Sequence, residues 1–440
     1  MTVRSAAIAL VLLGAPAAVQ AKVWTVGGRG ADFPLIAPAV AASGPHDVIQ
    51  VRRGVYREDL TLNHPVSIVG EDGVVLFGTG TGTVIEITAP GCEIRGLTID
   101  GTGNGASNDM DAAIRITSSG NRIVGNRIRR AFYGIVVAGA AGNLIEGNDI
   151  AGLADEPFGR RGDGIYLYRA PNNQIRRNTV SGMRDAIYFQ YAPGGIAVGN
   201  VVRGSRYGLH DMFSDNTRIA GNVFSGCSAG ASLMNSSELV FEGNEVSENR
   251  GVTGVGLSLK DCDRSEIRGN RFAANGKGLQ LDGSTGNRFT KNRFIQNDTA
   301  VRLMPSAECN VFAKNEFAGN WSDVVAGGGG GSTQWSADGV GNRWSAYAGF
   351  DFDGDGLGDT PHSLSGPFER IEGANALARL FLQSPAASAL ALVARMSPPG
   401  DGLEDSHPLS APVSSHRHAP LSFGLFAVAM AAWSARSLWR

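Results

Sequence analysis

Residues 121–128, NRIVGNRI, decide the fold, because the same phrase returns along the chain. It recurs as NLIEGNDI at Asn143, NQIRRNTV at Asn173, TRIAGNVF at Thr217, SEIRGNRF at Ser265, NRFTKNRF at Asn287 and NVFAKNEF at Asn310. The second asparagine of the phrase falls at Asn126, Asn148, Asn178, Asn200, Asn222, Asn244, Asn270, Asn292 and Asn315, at spacings of 22, 30, 22, 22, 22, 26, 22 and 23 residues. A unit of this length, built from short β-branched runs with turn residues between them, is too short for a pair of helices. It fits one coil of a parallel β-helix, in which each strand pairs with its counterpart one turn above. Asparagines at a fixed place in such a coil stack as an amide ladder at the rung spacing of about 4.8 Å. The fold class expected is all-β: a right-handed parallel β-helix with coils of about 22 residues.

A solenoid needs closed ends. Residues 33–73, FPLIAPAVAASGPHDVIQVRRGVYREDLTLNHPVSIVGEDG, read as a short helix followed by strands and resemble the N-terminal cap and first coils of pectin-lyase-like β-helices. Residues 374–396, ANALARLFLQSPAASALALVARM, read as an amphipathic C-terminal helix. The organisation expected is therefore a signal peptide over 1–21, the β-helix over 22–345 with its repeats clearest over 110–320, and an Asp/Gly-rich loop over 346–365. A helical cap over 366–398, a flexible linker over 399–420 and a membrane-associated end over 421–440 complete it. Arg4, the apolar run Ala6–Gly14 and small residues up to Ala21 carry the export signal. The uncharged run Leu421–Ala435 spans 15 residues, short of the roughly 20 that cross a bilayer. Trp433, Trp439 and Arg436 extend its reach, and it reads as an anchor or as an amphipathic tail.

Bulk composition narrows the function. A formal charge of −2 over 440 residues leaves no electrostatic footprint for nucleic acid, and 61 glycines speak for tight turns. Cys92, Cys227, Cys262 and Cys309 fall at dissimilar places in distant repeats and read as unpaired thiols. No phosphate-binding loop of the GxxxxGK type occurs, so any ATPase is a separate chain.

Strand alternation assigns the outward side chains. Each coil has a Gly or Ala 14 residues before its ladder asparagine: Gly134, Gly164, Ala186, Gly208, Gly230, Gly256 and Gly278. The second residue after it faces away from the core: Val136, Tyr166, Tyr188, His210, Ser232, Ser258 and Gln280. So does the fourth: Ala138, Tyr168, Gln190, Met212, Met234, Lys260 and Asp282. Met212 and Met234 are thus neighbours on adjacent rungs, with His210 on the same strand face. A methionine stripe is ordinarily core packing, but this register sets both outside the core. Thioethers and an imidazole suit Cu(I), whereas zinc and calcium prefer other donors; a hydrophobic docking patch is the alternative. Insertions before Gly164 and Gly256 interrupt the same corner and bracket these rungs, where solenoids bind partners. Tyr166, Tyr188 and Lys260 are the docking residues expected. Asp211, at an inward position, demands either a bulge or a buried partner.

A second cluster lies in DFDGDGLGD, where Asp351, Asp353, Asp355 and Asp359 alternate with glycines. This pattern suits structural calcium or an Asp/Gly turn closing the helix. A polysaccharide lyase or C5-epimerase is the enzyme alternative, with Tyr166, Tyr188, His210, Lys260, Gln280 and Arg302 lining a groove. The outward columns give it no cluster of acids on adjacent rungs to serve as base and cation site.

These same residues carry a resemblance. GDGIYLYRAPNNQIRRNTV, YGLHDMFSDNTRIAGNVF, GLSLKDCDRSEIRGNRF, the block GGGGG…GNRWSAYAGFDFDGDGLGD and LFLQSPAASAL resemble the NosD family, the periplasmic β-helix proteins of nitrous oxide reductase maturation, over residues 22–396. The resemblance implies a non-catalytic component docked on an ABC transporter whose permease and ATPase are separate chains. It also implies work beside a membrane-anchored copper chaperone to supply nitrous oxide reductase, in the periplasm at the inner membrane. The family's His-Met stretch carries over as His210, Met212 and, one rung on, Met234. The family usually has an aromatic residue where this chain has Asp211.

Overall fold

The structure is a computed structural model, and it describes residues 21–103, 110–250, 253–327, 331–364 and 403–410. The expected signal peptide, C-terminal helical cap and membrane-associated end lie outside these residues, apart from residue 21.

Apolar residues at every second place in strands of two to six residues build three parallel sheets of 13, 12 and 13 strands. One coil shows the unit: Tyr207–Met212, Arg218–Ala220 and Val223–Ser225 each pair only with their counterparts one turn before and after. We call the sheet containing Tyr207–Met212 the broad sheet, because its strands are the longest. A short helix, Ile36–Ala42, buries Ile36, Ala39 and Val40 over the first coils. The Glu58 carboxylate accepts from the backbone N–H groups of Ile36 and Ala37, both at 2.8 Å, satisfying donors that a helix start leaves free. Inside the solenoid, aliphatic rungs give way to stacked phenylalanines, from Phe224 through Phe241, Phe272, Phe294 and Phe317 to Trp344.

The amide ladder forms at the corner between the other two sheets. Each ladder Oδ1 from Asn148 to Asn342 accepts the backbone N–H of the preceding rung's asparagine at 2.8–3.0 Å. It also accepts that asparagine's side-chain amide, as between Asn200 and Asn222 at 2.9 Å. The residue before the asparagine turns left-handed, with φ +60° at Gly221 and Gly243, which is why glycine recurs there.

The ladder ends on a carboxylate from far along the chain. Asp405 Oδ2 accepts from Asn342 N at 2.7 Å and from Trp344 Nε1 at 2.9 Å. Glu404–Asp405 pairs antiparallel with His362–Ser363, and Leu409 donates to the Asn342 carbonyl. Residues 403–410 are therefore part of the C-terminal closure, and the expected linker over 399–420 is corrected there. Its composition looks like a tether, but the end of the ladder leaves a backbone N–H and an indole N–H that need acceptors.

Candidate metal centre

The register expected from the glycines is the register observed. Tyr166, Tyr188, His210, Ser232, Ser258 and Gln280 follow one another across the broad sheet, as do Tyr168, Gln190, Met212, Met234, Lys260 and Asp282. Met212 and Met234 are directly paired, and His210 lies two residues before Met212 on the same face. The two insertions enter at one corner, after strands Asp149–Ala151 and Glu245–Ser247.

What the sequence does not show is how closed this face is. Tyr166, Tyr188 and His210 are only 7–8% exposed, although they point away from the core. With Ala112 and Val136 the tyrosines form a second apolar cluster outside the solenoid, against which Met212 packs. Tyr188 lies flat on His210, at 4.3 Å between ring centres and 7° between planes, and Tyr166 lies on Tyr188 at 5.0 Å. Tyr207 meets the imidazole edge-on at 5.1 Å. The hydroxyl of Tyr188 is 3.6 Å from Met212 Sδ, and burial pushes this phenol up to about 12. Tyr166 and Tyr188, expected as docking residues, thus present little surface to a partner. Their faces are spent on each other and on His210, a stack of rings that favours face contact over water. Lys260 is exposed and available.

His210 is held by residues the sequence reading passed over. Its Nδ1 is 3.0 Å from Asp185 Oδ2. Asp185 is fully buried and gripped by both arms of the Arg206 fork, at 2.9 and 2.7 Å. One rung earlier, Arg184 grips buried Asp163 the same way, at 3.0 and 2.7 Å. The available signal was the column just before the recurrent Gly or Ala, where Asp163 and Asp185 each have an arginine 21 residues ahead. These acids lie on adjacent rungs, but each carboxylate is occupied by a guanidinium and closed to solvent.

Two buried atoms on this strand have no partner. One is His210 Nε2 and the other is Asp211 Oδ2. Asp211 points into the core between Phe189 and Leu233 in unbroken register, so no bulge forms. Its partner is Ser236, whose hydroxyl donates to Oδ1 at 2.8 Å. Burial pushes the Asp211 carboxyl up to about 7, against the hydrogen bond from Ser236. An unpaired buried group costs about 1–3 kcal/mol. His210 Nε2 has no protein partner and lies on the side of the sheet that bears two thioethers, while Nδ1 faces the Asp185 carboxylate. That donor set fits a soft monovalent metal.

The acidic loop sits apart, at the C-terminal end. Asp351, Asp353 and Asp355 bring carboxylate oxygens within 4.8 Å of one another, and Asp359 is not among them. Each of the three also accepts from its own loop: Asp351 from Gly354 and Gly356, Asp353 from Asp355, and Asp355 from Leu357. Among the described residues this is the one His, Cys, Asp or Glu group close enough to hold a metal. The described cysteines are unpaired; Cys92, Cys227 and Cys262 are buried and Cys309 is exposed. Among the described residues no helix is long and apolar enough to cross a membrane.

Comparison with known proteins gives a consistent family. A family described as periplasmic copper-binding protein (NosD) matches residues 142–349, and one described as a protein of unknown function (DUF1565) matches residues 23–237. A probable ABC transporter binding protein NosD of Stutzerimonas stutzeri is 39% identical, covering 81% of this chain and 85% of that protein. Its namesake in Pseudomonas aeruginosa is 40% identical, over 81% and 86%. Among solved structures, a Streptomyces thermodiastaticus α-1,3-glucanase superposes with a TM-score of 0.59 at 16% identity, over 70% of this chain and 65% of the enzyme. A Yersinia enterocolitica exopolygalacturonase does so with 0.56 at 11% identity, over 73% and 79%. At such identities the enzymes share the β-helix and nothing is carried over from their chemistry.

Proposed function

The chain belongs to the NosD family, and from that premise we propose that it is a periplasmic binding protein, not an enzyme, that holds Cu(I) in transit on the broad sheet. Met212 and Met234 supply soft sulfur from adjacent rungs and His210 supplies Nε2. The observation that carries this reading is the His210 Nε2 left unpaired in a buried position on the face that bears both methionines. Cu(I) is cargo here. A site of two thioethers and one imidazole releases the ion to a partner more readily than buried thiolates do. The partners implied are an ABC transporter's permease and ATPase, a membrane-anchored copper chaperone as donor, and nitrous oxide reductase as recipient. Lys260, exposed one rung beyond Met234, borders the site and would meet a docking protein. A structural calcium ion at Asp351, Asp353 and Asp355 is a separate, minor proposal; a melting temperature unchanged by calcium or EGTA would remove it.

The test is an anaerobic Cu(I) titration against a competing chelator, comparing the parent with Met212→Leu/Met234→Leu, which keeps bulk and removes sulfur. We expect one equivalent in the parent and none at the same competitor concentration in the variant. Equal binding in both, or none in the parent, rules out the His-Met site.

A further inference from the structure

We propose that Asp185 is the positioning residue of this face: it fixes the imidazole hydrogen of His210 on Nδ1 and so keeps Nε2 open as a metal donor. The inference rests on the copper reading above for its consequence, but not for its geometry. Asp185 is fully buried, and both of its carboxylate oxygens accept from Arg206. Oδ1 accepts from Arg206 Nε at 2.9 Å; Oδ2 accepts from Arg206 Nη2 at 2.7 Å and lies 3.0 Å from His210 Nδ1. A carboxylate held in a guanidinium fork can only accept, so the hydrogen between it and the imidazole belongs to Nδ1. A neutral imidazole has one N–H, and Nε2 is then a bare lone pair. This is the carboxylate–imidazole arrangement that orients metal-binding histidines, present here with its outer nitrogen free of any protein partner.

The ring has no freedom to undo the assignment. Tyr188 covers one face in parallel contact at 4.3 Å, and Tyr207 closes an edge at 5.1 Å. Arg206 in turn lies over the Tyr207 ring at 4.4 Å, so the arginine that grips Asp185 also braces the wall of the imidazole pocket. The backbone of Asp185 is held from the rung before: Asp185 N donates to Asp163 Oδ1 at 3.2 Å, and Asp163 is forked by Arg184. Asp163, Arg184, Asp185 and Arg206 thus form a charge ladder across three rungs whose last contact is His210. A histidine kept only for packing would not need a buried ion pair to choose its tautomer.

The experiment reads the tautomer first and the metal second. In full-length protein labelled with 15N-histidine, ring 15N chemical shifts report which nitrogen carries the hydrogen, with His210 assigned by comparison with His210→Gln. The parent is expected to show Nδ1–H. Asp185→Leu removes the acceptor at similar size and should move the hydrogen to Nε2 or mix the two forms. Asp185→Asn leaves one oxygen that can accept from both Arg206 and Nδ1–H, and should restore the parent pattern. In the chelator competition Asp185→Leu should bind Cu(I) about 10- to 100-fold more weakly, and Asp185→Asn should stay near the parent. A leucine variant with the hydrogen still on Nδ1 overturns the proposal. So does a moved hydrogen with Cu(I) affinity unchanged, since His210 would then not be a donor. If the parent binds no Cu(I), the copper reading fails, while the shifts still decide whether Asp185 sets the tautomer. Should the leucine variant not fold, Arg206→Met, which loosens the carboxylate without removing it, is expected to broaden or split the His210 signals; sharp parent-like signals count against the proposal.

Discussion

Two of the places where the solenoid buries polar side chains treat them in opposite ways. In the asparagine ladder each amide from Asn126 to Asn315 donates to the next rung and accepts from the one before. The same economy repeats at Asn249, Asn275 and Asn297. On the strand Tyr207–Met212, His210 and Asp211 each leave a buried atom unpaired, in successive residues. The fold plainly can satisfy buried polar groups, because it does so rung after rung. Two unpaired atoms in successive residues of one strand are therefore a departure that stability does not ask for; Thr333 Oγ1 and Trp335 Nε1 are others, near the C-terminal end of the solenoid.

The comparison can be broken at the ladder. Asn222→Ala would strand the N–H of Asn200 and the carbonyl of Ala197, which Asn222 now serves at 2.8 and 2.9 Å. We expect a loss of about 3–5 kcal/mol, read as a lower urea midpoint. An unchanged midpoint would mean that the ladder is ornament and that the contrast has no energetic content.

The opposite sign is expected at the other site. Asp211 titrates near 7 in the folded chain and near 3.8 unfolded. Between these values the folded state holds the extra proton, so stability falls as pH rises through the window, and the loss is complete above it. Three units correspond to roughly 4 kcal/mol. Asp211→Leu should leave stability at pH 4 nearly unchanged and raise it at pH 8 by up to that amount. Parallel pH profiles for parent and variant would refute the assignment.

The smallest effect tests how far the tyrosine stack is part of the metal site. Tyr188→Phe keeps the ring on His210 and removes only the hydroxyl 3.6 Å from Met212 Sδ. Stability should change by less than about 0.5 kcal/mol, and Cu(I) affinity by no more than about threefold. A larger fall in affinity would make the phenol hydroxyl part of the site, which the unpaired nitrogen alone does not require.

Much of this was legible in advance because a solenoid writes its geometry as a period. Once the asparagines set the rung, the glycine column set the phase, and the outward placement of His210, Met212 and Met234 followed. Burial on that face was not legible. Tyr166 and Tyr188 read as a docking surface because alternation tells which side of the sheet a residue takes, and not what stacks over it there. Asp211 was legible as an anomaly only; that Ser236, 25 residues on, would accept the task of pairing it depends on the next coil. Residues 403–410 read as linker because their own composition is polar and their role is set by Asn342 and Trp344, about sixty residues earlier.

By itself, then, the sequence determined the coil, its register and the face on which the soft donors stand, because strand alternation and repeat spacing are local and periodic. Only the tertiary structure decided that the face is closed by a tyrosine stack. It alone also showed that Asp185 and Arg206 grip the imidazole and that Asp405 ends the ladder. Those contacts join residues 21 to 63 apart in the chain, and a side chain's partner across such a distance is fixed by how the coils stack, which no single stretch of sequence encodes.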